Sequence, residues 1–353
     1  MWPSYRDAAH CSIASTSGLA LIMEKSVLKL FDEHVLGESA RRFNLKPDNL
    51  KLITDMENFV YENGADETPC ILRITHSSHR TLEAIMGELE WMEYLYDNGM
   101  SVPQPIHSVN GALVEVIAAN HSYFLVTAFQ RIPGKTILDA IECTPEIYQQ
   151  WGQILGRMHA LAKHYEPSQP AYKREEWFTD DLACNAERYI PAQVDILAKF
   201  HELMGDLRAL PKERNSYGLI HADLTDVNFF VQNHKITVFD FDDCLYHWFV
   251  YDIAVILYDC LPWLPHGEMN KEEFARYFWG CFIQGYTKEN TLEPFWLNQL
   301  VKFFKLREIN LYVVYHKKWD SDSLSQQRRD YLRELRHNIE ADIPYLNLAA
   351  LLG

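Results

Sequence analysis

His221-Ala222-Asp223-Leu224-Thr225-Asp226-Val227-Asn228, and beyond it Val238-Phe239-Asp240-Phe241-Asp242-Asp243, decide how this 353-residue chain is read. The first stretch sets an Asp two residues after a His and an Asn five residues after that Asp. The second ends a predicted strand on another Asp. Phosphoryl transfer needs such a set: one carboxylate to accept the proton of an attacking hydroxyl, and an amide oxygen with a second carboxylate to hold divalent ions on nucleotide phosphates.

The segment between the two stretches supports that division. Phe229, Phe230 and Val231 predict a short buried strand, Asn233-His234 a turn, and Ile236 to Phe239 the returning strand. A hairpin brings its ends together, so Asn228 and Asp240 are expected to share a metal while Asp223 faces the acceptor. The bland alternative is a solvated loop followed by an Asp-rich turn.

On these residues the chain resembles the aminoglycoside phosphotransferase and choline kinase group of small-molecule kinases. His221, Asp223 and Asn228 match that family's H-x-D-x-x-x-x-N catalytic loop, and Asp240 matches the Asp of its D-x-D or DFG-like metal motif. The resemblance implies an α+β, two-lobed protein-kinase-like fold, with a small antiparallel-sheet N-lobe and a mostly helical C-lobe. It also implies ATP, with GTP possible, and Mg²⁺ as cofactors. The expected division is a helical extension over 1–40, a nucleotide-binding N-lobe over 41–129, and a catalytic and acceptor-binding C-lobe over 130–353.

The sheet-forming half supplies the nucleotide candidates. Leu50 to Thr54 and Phe59 to Glu62 predict paired strands around Asp55-Met56-Glu57-Asn58, where the resemblance puts the phosphates. No glycine lies between Leu50 and Tyr61, so backbone amides near Glu57 and Asn58 would have to serve. Cys70 to Ile74 predicts a third strand whose one charged residue is Arg73. The family's usual residue there is Lys; a guanidinium also grips phosphate, through two parallel hydrogen bonds, though with different geometry. Ile85, Leu89, Met92 and Leu95 recur at helical spacing over Thr81 to Tyr96, and the helix stops at Asn98-Gly99. Glu88 lies beside that stripe and is expected to pair with Arg73, with Glu93 the rival. Ile106 to Val109 and Leu113 to Ile117 read as strands around Asn110-Gly111, followed by the strand Ser122 to Phe129. The resemblance places the adenine-binding hinge around Ala128 to Gln130.

Further on, Tyr148 to Ala162 is a strongly amphipathic helix, and its Leu155 to His159 resembles a family segment in which the His packs behind the catalytic loop, so His159 is expected to be structural. Pro167 to Trp177 is expected to be a loop before helices spanning Asp180 to Leu210. Asp180, Asp181 and Glu187 are either contacts for a cationic acceptor or surface carboxylates. Asp242 and Asp243 are possible second metal ligands or acceptor contacts. His221 is expected to fix the loop by hydrogen-bonding backbone and not to exchange protons, and the resemblance gives Asp252 a supporting role under the catalytic loop. The aromatic-rich C-terminal helices are core, with Glu308 and Trp319 on the acceptor side or simply packed. Near the N-terminus, Val27, Leu28, Phe31 and Val35 predict a helix ending at Gly37, packed on the small lobe or forming a dimer contact.

Composition narrows the partners. A net charge of −16 argues against a general nucleic-acid binder, which needs a basic face. Seven scattered Cys without a C-x-x-C pair suggest neither a disulfide framework nor a zinc site. The early apolar run Leu19 to Met23 is too short for a membrane span and lacks signal-peptide flanks, so a cytoplasmic monomer or homodimer is expected. The expected function is ATP- and Mg²⁺-dependent transfer of the γ-phosphate to a hydroxyl of a small molecule such as an amino-alcohol or amino-sugar. The alternatives are a protein Ser/Thr kinase and a pseudokinase that scaffolds without turnover.

Overall fold

The computed structural model describes residues 23–64, 69–319 and 324–352. The mixed N-terminal stretch, read from sequence as partly disordered, lies outside the described residues. Internal contacts divide the chain into two units: residues 23–133 with Glu166–Arg174, and Gly134–Tyr165 with residues 175–352.

The first unit runs α1 (Lys25–Leu28), α2 (Glu33–Arg42), β1 (Leu50–Thr54), β2 (Phe59–Asn63), β3 (Cys70–His76), α3 (Leu82–Asp97), β4 (Pro105–Ile106), β5 (Glu115–Ala119) and β6 (Ser122–Gln130). Its strands form an antiparallel sheet in the order β1-β2-β3-β6-β4, with β5 also on β6. Alternation along β3 assigns the two faces. Leu72 and Ile74 join Val27, Val35, Phe59 and Val126 in one apolar cluster, and Phe31 stacks on Phe59 with centroids 3.8 Å apart. Arg73 turns to the opposite face, which α3 covers.

Several local expectations change here. The N-terminal helix does not stop at Gly37: Asp32 accepts the Val35 N–H at 2.9 Å, caps a fresh helix, and α2 continues through Gly37 to Arg42. Asn110-Gly111 is not a hairpin turn. Glu115 accepts from Ser108 Oγ at 2.6 Å and Asn110 Nδ2 at 2.9 Å, folding that segment into a loop, while β4 and β5 each pair with β6. The turn is at Asn120, whose φ of 53° is the left-handed conformation Asn tolerates.

The first unit runs on through Pro133, and the Arg131 N–H still reaches the Pro69 carbonyl at 3.3 Å. Glu166–Arg174 joins the first unit. Ser168 N–H reaches Glu90 at 2.8 Å and Arg174 reaches the Ala84 carbonyl at 2.8 Å, so this segment, expected to be a plain loop, straps α3.

The second unit runs α4 (Pro145–Ala162), α5 (Asp181–Tyr189), α6 (Val194–Arg208), β7 (Tyr217–Ile220), β8 (Phe229–Gln232), β9 (Lys235–Val238), β10 (Leu245–Trp248), α7 (Phe249–Cys260), α8 (Lys271–Tyr286), α9 (Pro294–Lys318), α10 (Gln326–Glu340) and α11 (Leu348–Leu352). α7 is apolar on nearly every face and is the buried axis of this unit. α4 and α8 meet across glycines. A Cβ on Gly152 would overlap the Phe282 carbonyl oxygen, and one on Gly285 would overlap the Gln149 carbonyl oxygen. That backbone-to-backbone approach brings His159 of α4 within 3.0 Å of the Tyr286 hydroxyl at the end of α8.

Candidate active site

β8 and β9 form the expected hairpin, in the register Phe229↔Val238. The Phe239 N–H continues the ladder to the Asn228 carbonyl at 3.0 Å, so Asn228 stands opposite Phe239, with Asp240 next along the chain. Asp240 is exposed and has φ 63°, a strained left-handed turn that ends the strand. Asn228 is buried, and its Nδ2 donates to both the carbonyl and Oδ2 of Asp223, each at 2.8 Å. Its amide oxygen is thereby directed away from Asp223. Asn228 and Asp240 thus offer two hard oxygen donors, a set that suits Mg²⁺ or Ca²⁺ and not a soft metal.

The loop that carries Asp223 is held from below by Asp252 of α7. Its carboxylate accepts the His221 N–H at 3.1 Å and the Ala222 N–H at 2.6 Å, and Ala222 is fixed at φ 67°. His221 donates from Nε2 to the Phe239 carbonyl at 3.1 Å and accepts the Asp223 N–H on Nδ1 at 3.3 Å, linking the loop to the end of the hairpin. His159 completes the support. Its Nε2 donates to Asp252 at 3.0 Å and its Nδ1 accepts from the Tyr286 hydroxyl. Burial pushes both histidines below their ordinary range, so both stay neutral and neither is placed to exchange protons with a substrate.

Asp223 sits among charges. Burial and the carboxylates of Asp243, Asp259 and Asp240 push its pKa up, while Arg307 pulls it down. The side chain keeps 32 % of its surface, so water tempers the push. A carboxylate made more basic in this way is a better proton acceptor than an ordinary one. Arg307 of α9 donates from Nε to Asp259 Oδ2 at 2.9 Å and places Nη2 3.4 Å from Asp223 Oδ1. Sequence reasoning passed over both Arg307 and Asp259. Arg307 lies 84 residues from Asp223 and 48 from Asp259, and neither belongs to a recognisable spacing.

In the first unit, Arg73 and Glu88 form a bidentate pair at 2.8 and 2.6 Å, with 5 % and 1 % of their surfaces exposed. The guanidinium also lies 5.2 Å from the Phe129 ring. Glu88, and not Glu93, is the partner. Asn58 is buried after the β1–β2 turn, its side-chain oxygen accepting from Thr75 Oγ1 at 2.7 Å.

The expected hinge donors are occupied. Ala128 is paired with Leu72 on one side and Ile106 on the other, and the Gln130 N–H goes to the Gln104 carbonyl at 2.8 Å. The sheet takes them because β4, short as it is, reaches the end of β6.

The three carboxylates considered for the acceptor have other occupations. Asp180 caps α5 by accepting the Leu182 N–H at 3.0 Å. Asp181 takes Lys317 at 2.6 Å, and Glu187 pairs with His201 at 3.0 Å on the surface. Glu308 is buried and accepts from Lys305 at 2.8 Å; Trp319 is buried against Tyr315, with centroids 4.2 Å apart. Asp242 is buried and Asp243 exposed beside the hairpin end.

A profile described as the phosphotransferase enzyme family matches residues 50–288. The chain belongs to that family. Amicoumacin kinase of Bacillus subtilis (strain 168) is 37 % identical over 329 residues, covering 92 % of this chain and 97 % of that protein. A solved structure of amicoumacin kinase in complex with AMP-PNP, Ca²⁺ and Ami superposes with a TM-score of 0.88 at 35 % identity, covering 93 % of this chain and all of that one (100 %). The microcompartment-associated aminopropanol kinase shares the fold, with a TM-score of 0.69 at 20 % identity over 88 % of this chain and 96 % of its own. The fold is therefore the α+β protein-kinase-like one, and the chain is a small-molecule phosphotransferase that acts on a hydroxyl. Among the described residues no helix is long and apolar enough to cross a membrane.

Proposed function

We propose that this chain transfers the γ-phosphate of ATP, with Mg²⁺, to a hydroxyl of an amino-alcohol antibiotic of the amicoumacin type. The observation that carries the reading is the Asn228 amide, which ties down one oxygen of Asp223 while the hairpin register puts Asp240 beside it. The 37 % identity to amicoumacin kinase across nearly the whole of both chains supports the acceptor.

In this reading Asp223 accepts the proton of the attacking hydroxyl, and Asn228 and Asp240 hold the metal. Mg²⁺, when bound, neutralises charge on the nucleotide phosphates. Arg73, oriented by Glu88, and the backbone near Asn58 steady the phosphates. The adenine edge lies at the end of β6, past the occupied donors. Asp252 and His221 keep the loop in place, and positioning with charge neutralisation supplies most of the rate.

The test is transfer of labelled γ-phosphate from ATP to amicoumacin, alongside thermal shifts with ATP or GTP, with and without Mg²⁺. The wild type is expected to transfer label and to be stabilised by nucleotide with Mg²⁺. Asp240→Ala is expected to lose the Mg²⁺-dependent shift, and Asp223→Asn to keep the shift but lose transfer. A wild type that neither shifts at millimolar nucleotide nor labels amicoumacin would refute the reading.

A further inference from the structure

The two oxygens of Asp223 are held from different parts of the second unit. Oδ2 accepts from Asn228 on the same loop at 2.8 Å, whereas Oδ1 faces Arg307, which arrives on the long helix α9. Rotation about the Cβ–Cγ bond of an Asp is broad, with no sharp staggered minima. A carboxylate bound at one oxygen alone would therefore swing about that contact. A second tether on the other oxygen fixes the plane.

Arg307 suits that role because it is itself anchored. Both its Nε and Nη2 donate to Oδ2 of Asp259, at the end of α7. Arg307 and Asp259 keep 19 % and 17 % of their side-chain surface, so the pair is shielded but not sealed. The 3.4 Å separation from Asp223 Oδ1 is longer than a full hydrogen bond. It orients the oxygen by charge and leaves a lone pair open to an incoming hydroxyl.

We propose that Arg307, anchored by Asp259, is a positioning residue for the transfer reaction: it fixes Asp223 Oδ1 as the oxygen that meets the acceptor hydroxyl. The inference rests on the assignment of Asp223 as the base. Arg307 acts through Asp223, and Asp259 holds Arg307 in place. The local charges agree with this order. Asp223 lies in the field of Asp240, Asp243 and Asp259, and among the described groups that act most strongly on it Arg307 is the cation.

The experiment uses the full chain with amicoumacin, and separately 1-amino-2-propanol and water, as acceptors of γ-phosphate from Mg·ATP. Arg307→Gln is expected to lower kcat on the order of a hundredfold, as misplaced reacting groups do. KM for the acceptor and for Mg·ATP should stay within about threefold, since uniform binding is not removed. Arg307→Lys, with the charge but not the fork, should recover roughly tenfold of the loss. Asp259→Asn should cost about tenfold in kcat, and the double variant should be no slower than Arg307→Gln alone.

A kcat for Arg307→Gln within about twofold of wild type overturns the proposal, as does a loss confined to KM or full multiplication of the two single effects. Thermal melts with Mg·ATP report whether each variant is folded. If Arg307→Gln does not melt cooperatively, Arg307→Lys decides: an unchanged kcat overturns the proposal, and a kcat loss at unchanged KM supports it. A wild type inactive toward all three acceptors overturns the underlying reading and this proposal together. An active wild type beside an unaffected Arg307→Gln overturns this proposal alone.

Discussion

Replacing Glu88 with Gln isolates the buried charge pair of the sheet-forming unit. The wild-type pair has two hydrogen bonds, at 2.8 and 2.6 Å, and 5 % and 1 % exposure for Arg73 and Glu88. Removing the negative charge leaves a guanidinium in a nearly dry site facing a neutral amide. Breaking one partner of a buried pair costs on the order of 3–5 kcal/mol, several times what an exposed pair is worth. In a unit of this size that is a fall of roughly 10–20 °C in melting temperature. Urea and thermal unfolding followed by circular dichroism measure it. The double variant Arg73→Met with Glu88→Leu removes both charges and should recover most of the loss, since the desolvation penalty goes with them. A loss below about 1 kcal/mol for Glu88→Gln would refute the reasoning, because the pair would then behave as a solvated one.

Asp252→Asn exchanges an acceptor for a donor where the His221 and Ala222 N–H groups point. It should cost roughly 1–3 kcal/mol in urea melts and lower kcat more than it raises KM, as the strained Ala222 relaxes. Asp226 gives a pH dependence of defined sign. Burial raises its pKa from 3.8 to about 6, so the folded state binds the proton more tightly than the unfolded one. That favours the fold below pH 3.8 and is lost as pH rises through about 6. Asp226→Asn should therefore be the more stable protein at pH 7.5, by about 3 kcal/mol, with the advantage fading on acidification; equal stability at pH 7.5 would count against this account.

Much of the candidate site was legible because it is local. Asp223, Asn228 and Asp240 are brought together by one hairpin, whose length and turn are written in Phe229 to Phe239. Glu88 could be read from its place beside a helical stripe, although only the structure separates it from Glu93. What escaped depends on long-range packing. Arg307 and Asp259 lie on different helices and carry no spacing signal; their meeting is fixed by how α7 and α9 pack. The two-residue β4, too short to recognise from periodicity, takes hydrogen bonds that Ala128 and Gln130 were expected to offer. Asn110-Gly111 looked like a hairpin turn until the buried Glu115 drew that loop onto itself. Asp32 outweighed Gly37 because a capped helix start fixes a boundary more firmly than a glycine within a helix breaks one.

The glycine seam between α4 and α8 governs how substitutions far from the phosphates will behave. Tyr286, His159 and Asp252 form a single file of buried hydrogen bonds ending at the backbone of the Asp223 loop, and its first link crosses the seam. One methyl group at Gly152 or Gly285 has no room and must part the helices, lengthening that link first. An alanine there would read as a core defect in a melting curve and as a base defect in a kinetic assay. A genetic screen for lost activity would accordingly return positions 152 and 285 together with Asp223, although neither glycine has a side chain to offer a substrate.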